Sequence, residues 1–136
     1  MSKIEQTLSI IKPDAVERNL IEEIKQLFIA DDFNILKEKK VQISKTEAQQ
    51  FYQVHQAKPF YNELCNYLSS GPIYVMILEK KGAILANREL MGATNPFEAK
   101  EGTIRKKYGI SIDKNSVHGS DSITNAKIEI DFFFKN

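Results

Sequence analysis

The way strand-like and helix-like segments alternate along this chain predicts an α+β fold, and three observations support it. The first is Ile73-Tyr-Val-Met-Ile-Leu78, continuously apolar in the manner of a central strand covered on both faces. The second is the segment order: strand, helix, strand, helices, strand, helix, strand. The third is that the 136 residues contain no internal repeat, linker or low-complexity stretch, so 1–136 reads as one domain. Together they describe a ferredoxin-like α/β sandwich: a four-stranded antiparallel sheet with helices packed on one face of it.

Each element has its own local signal. Thr7-Leu-Ser-Ile-Ile-Lys12 is β-rich and stopped by Pro13, which puts Lys12 at the rim of the sheet. Leu20, Ile21, Ile24, Leu27 and Phe28 form one apolar helical stripe that Asp31-Asp32 ends. Phe33 to Ile43 reads as a second strand whose Lys37-Glu-Lys-Lys40 run is a solvated face or an edge. Ser44 and Glu47 have capping-box spacing, and the helix they open carries Ala48, Phe51, Tyr52 and His55 on one side. Lys58-Pro59 breaks it. Phe60, Leu64 and Leu68 define the next helix, closed by Ser69-Ser70-Gly71-Pro72, so the two helices form a hairpin projecting from the core. After the central strand, Ala83 to Leu90 is helical and Met91 to Arg105 is a long irregular excursion, of the kind that usually has a job. A strand near Val117 and a helix from Ser122 to Phe133 complete the core.

Composition narrows the function. A share of 42% hydrophobic and 27% charged residues is that of an ordinary soluble globular protein. Nineteen basic against eighteen acidic residues leave +1, which excludes the broad positive field of a dedicated non-specific nucleic-acid binder. The single cysteine, Cys65, forbids an internal disulfide and reads as core filler beside Leu64 and Leu68. The first residues show neither a signal-peptide nor a transit-peptide pattern, and no apolar run is long enough for a bilayer, so a cytoplasmic location with no membrane partner is the expectation.

The stretch that organises the rest is Asn115-Ser-Val-His-Gly-Ser-Asp121, which holds one of the two histidines. Ser116 and Val117 read as the end of a strand, Gly119 as a bend, and Asp121 or Ser122 as a cap for the next helix. His118 then stands at a strand-to-helix corner, where an oriented ring could meet a phosphate; taken alone, such a histidine is more often a cap or a merely exposed ring. The six glycines stand singly, with no Gly-x-x-x-x-Gly-Lys and no Gly-x-Gly, so P-loop and protein-kinase phosphate cradles are excluded. Any bound phosphate has to be held by side chains.

Asn115-x-x-His-Gly-Ser-Asp121 resembles the signature of the nucleoside diphosphate kinase family. The likeness runs through Ile10-Ile-Lys-Pro-Asp-Ala15, Arg88-Glu-Leu-Met-Gly-Ala-Thr-Asn-Pro96 and Gly102-Thr-Ile-Arg105. It implies the same ferredoxin-like fold and a ping-pong mechanism. His118 would take the γ-phosphate of ATP or another nucleoside triphosphate and pass it to a nucleoside diphosphate. It further implies that Lys12, Arg88 and Arg105 converge on the phosphates, with hydroxyls from Thr94 and Tyr52, and that Ser120 and Glu129 buttress the imidazole. Phe60 and Ile112 would clamp the base, with Leu64 beside Phe60, and Lys12 and Asn115 would reach the sugar. Mg2+ would bridge the substrate phosphates without a protein cage. A homo-oligomer, tetramer or hexamer, is implied as well, and the aromatic cluster Asp131-Phe-Phe-Phe-Lys135 agrees with it. Lys106-Lys107 and the end at Asn136 depart from the commonest family pattern.

Two other functions stand beside this one. A silent nucleotide-binding module is opposed by the presence of His118, Ser120 and Glu129 together. A nucleic-acid regulator has only the clusters Lys37, Lys39, Lys40 and Arg105, Lys106, Lys107, which at net +1 support at most a weak secondary activity.

Overall fold

A computed structural model describes residues 3–53, 56–112 and 114–134. The elements follow in the order β1 (Ile4–Ile11), α1 (Pro13–Glu17), α2 (Ile21–Ala30), β2 (Asn34–Val41), α3 (Lys45–Phe51), α4 (Tyr61–Leu68), β3 (Ile73–Lys81), α5 (Ala83–Met91), α6 (Ile104–Tyr108), β4 (Val117–Gly119) and α7 (Ile123–Phe134). A 3-10 turn, Pro96–Glu98, lies in the excursion before α6. The four strands form one sheet in the order β2-β3-β1-β4, with every pairing antiparallel. This is the α+β, ferredoxin-like arrangement that the segment order predicts.

The helices differ from expectation in one respect: they cover both faces of the sheet. Ile11, Met76, Leu78 and Val117 join a core with α1, α2, α5 and α6, through Ala15, Ile24, Ala83 and Ile104. Leu8, Ile10, Ile73 and Val75 join a second core with α3, α4 and α7, through Ala48, Cys65, Leu68 and Phe133. The continuous apolar run in β3 has this cause, because alternate residues enter opposite cores. The helix hairpin α3–α4 therefore packs on the sheet instead of projecting from it, and Cys65 is buried filler there. The C-terminal aromatics are also covered from within, since Phe51 meets Phe132 and Phe133 at 5.6 and 5.3 Å.

Several local signals are realised. Ser44 and Glu47 make both hydrogen bonds of the capping box at the start of α3. β2 is the sheet edge, its charged run exposed and its register shifted between Ile35 and Lys37. Ser122 caps α7 by accepting from the Asn125 amide at 3.0 Å. The expectation for His55 falls outside the described residues. No helix among the described residues is long and apolar enough to cross a membrane.

Candidate active site

The site is built where the two helical layers meet at the β4 edge of the sheet. Ile11 lies opposite Val117, Ile10 opposite His118 and Ser9 opposite Gly119. Because side chains alternate across a strand, His118 faces α3 and α7 while Gly119 faces α5. Phe51 of α3 sets its ring edge against the imidazole at 5.4 Å, and Tyr52 follows at 6.5 Å. The imidazole remains partly open, with a side-chain exposure of 21%.

Glu129 of α7 fixes that ring. Its Oε1 accepts from Ser120 Oγ at 2.7 Å and lies 3.0 Å from His118 Nε2. Ser120 is itself pinned, because its hydroxyl accepts the Leu8 amide of β1 at 3.1 Å. A carboxylate accepts and does not donate, so the ring proton belongs on Nε2 and the lone pair on Nδ1. The arrangement presents one imidazole nitrogen with its orientation and tautomer set.

The cations reach the same edge from the other layer. Arg105 of α6 donates to the carbonyls of Gly92 and Val117 at 3.0 and 2.9 Å, which ties it to the residue before His118. Burial, and then the nearby Arg88, push its guanidinium down to about 10, so it is charged at neutral pH. Arg105 is thus turned inward and is not part of a surface basic cluster with Lys106 and Lys107. Arg88, Thr94 and Arg105 line one cavity of about 900 Å³. Lys12, just past β1, donates to Asn115 Oδ1 at 2.9 Å, and Asn115 Nδ2 donates to the Thr94 carbonyl at 3.2 Å. Tyr52 is buried, and its hydroxyl is pushed well above the usual range by burial and then by Glu129, so it stays a neutral donor.

Hydrogen bonds, ring contacts and that cavity therefore link Lys12, Tyr52, Arg88, Thr94, Arg105, Asn115, His118, Ser120 and Glu129. Phe60, Leu64 and Ile112 stand outside that linked set. Phe60 precedes α4 with 43% exposure and Ile112 shows 56%, which leaves both apolar surfaces accessible to a base. Leu64 is half-buried and packs against the second core.

Two details of the corner differ from the sequence reading. Gly119 does not have a positive φ; it is needed because a Cβ there would run into Asn87 Nδ2 and the Met91 thiomethyl. Ser116 does have a positive φ, 76°, and so is not strand. Sequence reasoning also missed Asn87, a wholly buried amide beneath Gly119, although its place on the apolar side of α5 was a usable signal.

What fold and site define is a class: an α+β domain whose edge strand carries a carboxylate-anchored histidine beside side-chain cations. Comparison with known proteins gives the family. The family model for nucleoside diphosphate kinase matches residues 5–136. A nucleoside diphosphate kinase of Campylobacter jejuni (strain 81116) is 57% identical over 132 residues, 97% of this chain and 96% of its own. One from Nitratiruptor is 54% identical over 131 residues, 96% of each chain. Among solved structures, the Aquifex aeolicus nucleoside diphosphate kinase superposes with a TM-score of 0.96 at 38% identity, covering 98% of this chain and 97% of that one. The Encephalitozoon cuniculi enzyme, without ligand, does so at 0.93 and 36%, covering 97% and 90%. The chain belongs to the nucleoside diphosphate kinase family, and its activity is phosphoryl transfer between nucleoside tri- and diphosphates.

Proposed function

We propose that His118 is the covalent phosphate carrier of this activity. The observation that supports it is the Ser120–Glu129–His118 chain, which occupies Nε2 and leaves the lone pair of a partly open ring on Nδ1. In the first half-reaction the Nδ1 lone pair attacks the γ-phosphorus of ATP or another nucleoside triphosphate. An N–P bond forms as the bond to the β,γ-bridging oxygen breaks, and the diphosphate leaves with that electron pair. In the second, a terminal oxygen of another nucleoside diphosphate attacks the same phosphorus and the lone pair returns to Nδ1. Lys12, Arg88 and Arg105 offset charge on the transferring group, with Thr94 and Tyr52 as neutral donors. Nothing has to move in the ring support between the halves, so one geometry serves both.

Mg2+ fits this donor set as a substrate-borne ion. Around the histidine, cations and hydroxyls dominate and Glu129 is already shared by Ser120 and His118, while Glu89 and Glu98 line the cavity together with Arg88, Lys100 and Arg105, so the ion would be held by phosphate oxygens and would neutralise their charge. Asn115 and Lys12 are read as contacts to the sugar, and Phe60, Ile112 and Leu64 as an apolar seat for the base. An apolar seat uses the ring face that every base has and reads few edge groups, so acceptor choice is broad. We read 1–136 as one domain, a reading supported by two cores sharing one sheet, and the protein as a cytoplasmic homo-oligomer, tetramer or hexamer.

The test is transfer of label. Protein incubated with γ-labelled ATP takes up acid-labile, alkali-stable phosphate and, once freed of nucleotide, passes it to GDP, CDP and UDP alike. His118→Ala takes up none while still binding nucleotide. Labelling of that variant at the wild-type level would remove His118 from the mechanism, and delivery to one base only would show an edge-reading group at the base.

A further inference from the structure

Between the Lys12–Asn115 pair and the His118 ring the backbone makes one abrupt move. The Val117 amide donates to the Asn115 carbonyl at 2.9 Å, closing a three-residue turn around Ser116 at φ 76°. Turns of this kind with a positive φ are rare and strained, and for a residue with a side chain they persist only where the surroundings over-determine them. Here the surroundings do so. The Ser116 carbonyl accepts from the Lys12 amide at 2.8 Å, and its hydroxyl donates to Asp14 Oδ2 at 3.2 Å.

Asp14 is held more firmly still. Its side chain is only 4% exposed, and Oδ2 also accepts from Arg18 Nη2 at 3.1 Å. The Tyr67 hydroxyl donates to Asp14 Oδ1 and accepts from the Asp14 amide, the latter at 2.9 Å. Burial, followed by that bond to Asp14, pushes the Tyr67 hydroxyl far above its usual range, which keeps it a donor. Arg18 is anchored from the far side, donating through Nε to the Asp14 carbonyl at 3.0 Å and through Nη2 to the Tyr108 carbonyl at 2.5 Å. Arg18, just past α1, and Tyr67 of α4 therefore converge on one carboxylate, with Tyr108 of α6 holding Arg18 in turn, and that carboxylate grips one strained residue.

We propose that Asp14, locked by Tyr67 and Arg18, is a positioning residue that holds the Ser116 turn and so sets the spacing between the Lys12–Asn115 pair and the His118 ring. The proposal rests on reading His118 as carrier and Lys12–Asn115 as nucleotide contacts. A loosened turn lets the two ends drift independently, which costs rate at saturating nucleotide more than it costs binding.

The experiment is a coupling cycle on the rate of His118 labelling by saturating γ-labelled ATP. Asp14→Asn leaves the shape and removes the charge. Tyr67→Phe removes only the hydroxyl and serves if Asp14→Asn does not fold. Each slows labelling about 10- to 100-fold, since small misplacements of reacting groups cost that much. Ser116→Gly accepts a positive φ without strain and needs no clamp. In that background the same two substitutions therefore slow labelling less than about threefold, a non-additivity that a purely structural Asp14 would not produce. Equal losses in both backgrounds, or no loss in either, overturn the clamp. Absence of label on the wild-type protein would instead overturn the carrier reading on which it rests.

Discussion

Asn87 and Met91 lie so close under β4 that only a glycine fits above them at position 119. Gly119→Ala must therefore push the strand away from α5 or deform the helix, and His118 is the adjoining residue. Overpacking of this kind costs about 1–3 kcal/mol of stability. The expected result is a lower urea midpoint together with a phosphotransfer rate that falls further than the stability loss explains. Wild-type kcat in a destabilised Gly119→Ala protein would show that α5 yields and the ring does not move. The same position shows where sequence reading is incomplete: an isolated glycine announces that something is required, but not whether the requirement is a dihedral angle or an absent methyl.

On the scale of elements, α2 and the edge strand β2 are joined by one ion pair. Lys25 Nζ lies 2.5 Å from Glu38 Oε1, and the Tyr74 hydroxyl donates to the same carboxylate. Lys25, and then Tyr74, hold the Glu38 carboxyl below its ordinary 4.5, and Glu38 holds the Lys25 ammonium above its ordinary 10.5. A lowered acid contributes stability that is present above 4.5 and lost as pH falls through the folded value, while the raised base contributes stability that is present below 10.5 and lost as pH rises through its own. Glu38→Gln should thus lower the denaturation midpoint across the neutral plateau and converge with wild type in acid. With Glu38 about one-third open to water, the difference is about 1 kcal/mol or less. Constant separation of the two curves down to acid pH would mean that the pair contributes through packing alone.

The long elements were legible because each carries its own period or cap: the stripe of α2, the capping box of α3 and the two-sided run of β3. The short α1 and α6 were not, because five-residue helices are held by what they pack on and leave little local pattern. The candidate site divides in the same way. The family-like stretches pointed to the residues around His118, but nothing local to Ser116 signals a positive φ, and nothing in sequence ties Tyr67 to Asp14, since that bond spans 53 positions.

For the whole molecule, the argument for assembly shifts from the C-terminal aromatics to other surfaces. Phe133 is buried by its own chain, whereas Phe97 is 79% and Leu85 63% exposed. Light scattering at micromolar concentration should therefore return a multiple of 15.6 kDa; a monomeric mass would remove the homo-oligomer from the proposed function.

The pairing of β1 with both β3 and β4 also has a consequence during synthesis. Ile10 must find Val75 and then His118, partners far apart along the chain, before the edge that carries the histidine exists. Contacts of such high sequence separation form late and slowly, because loop closure precedes any reward. A ribosome-bound chain can zip β1 against β3 and still show an uncovered β1 edge until β4 emerges. The protein acquires its chemistry only once β4 has followed β3 out, and the interval before that is when the β1 edge is most open to the sticky encounters that chaperones prevent.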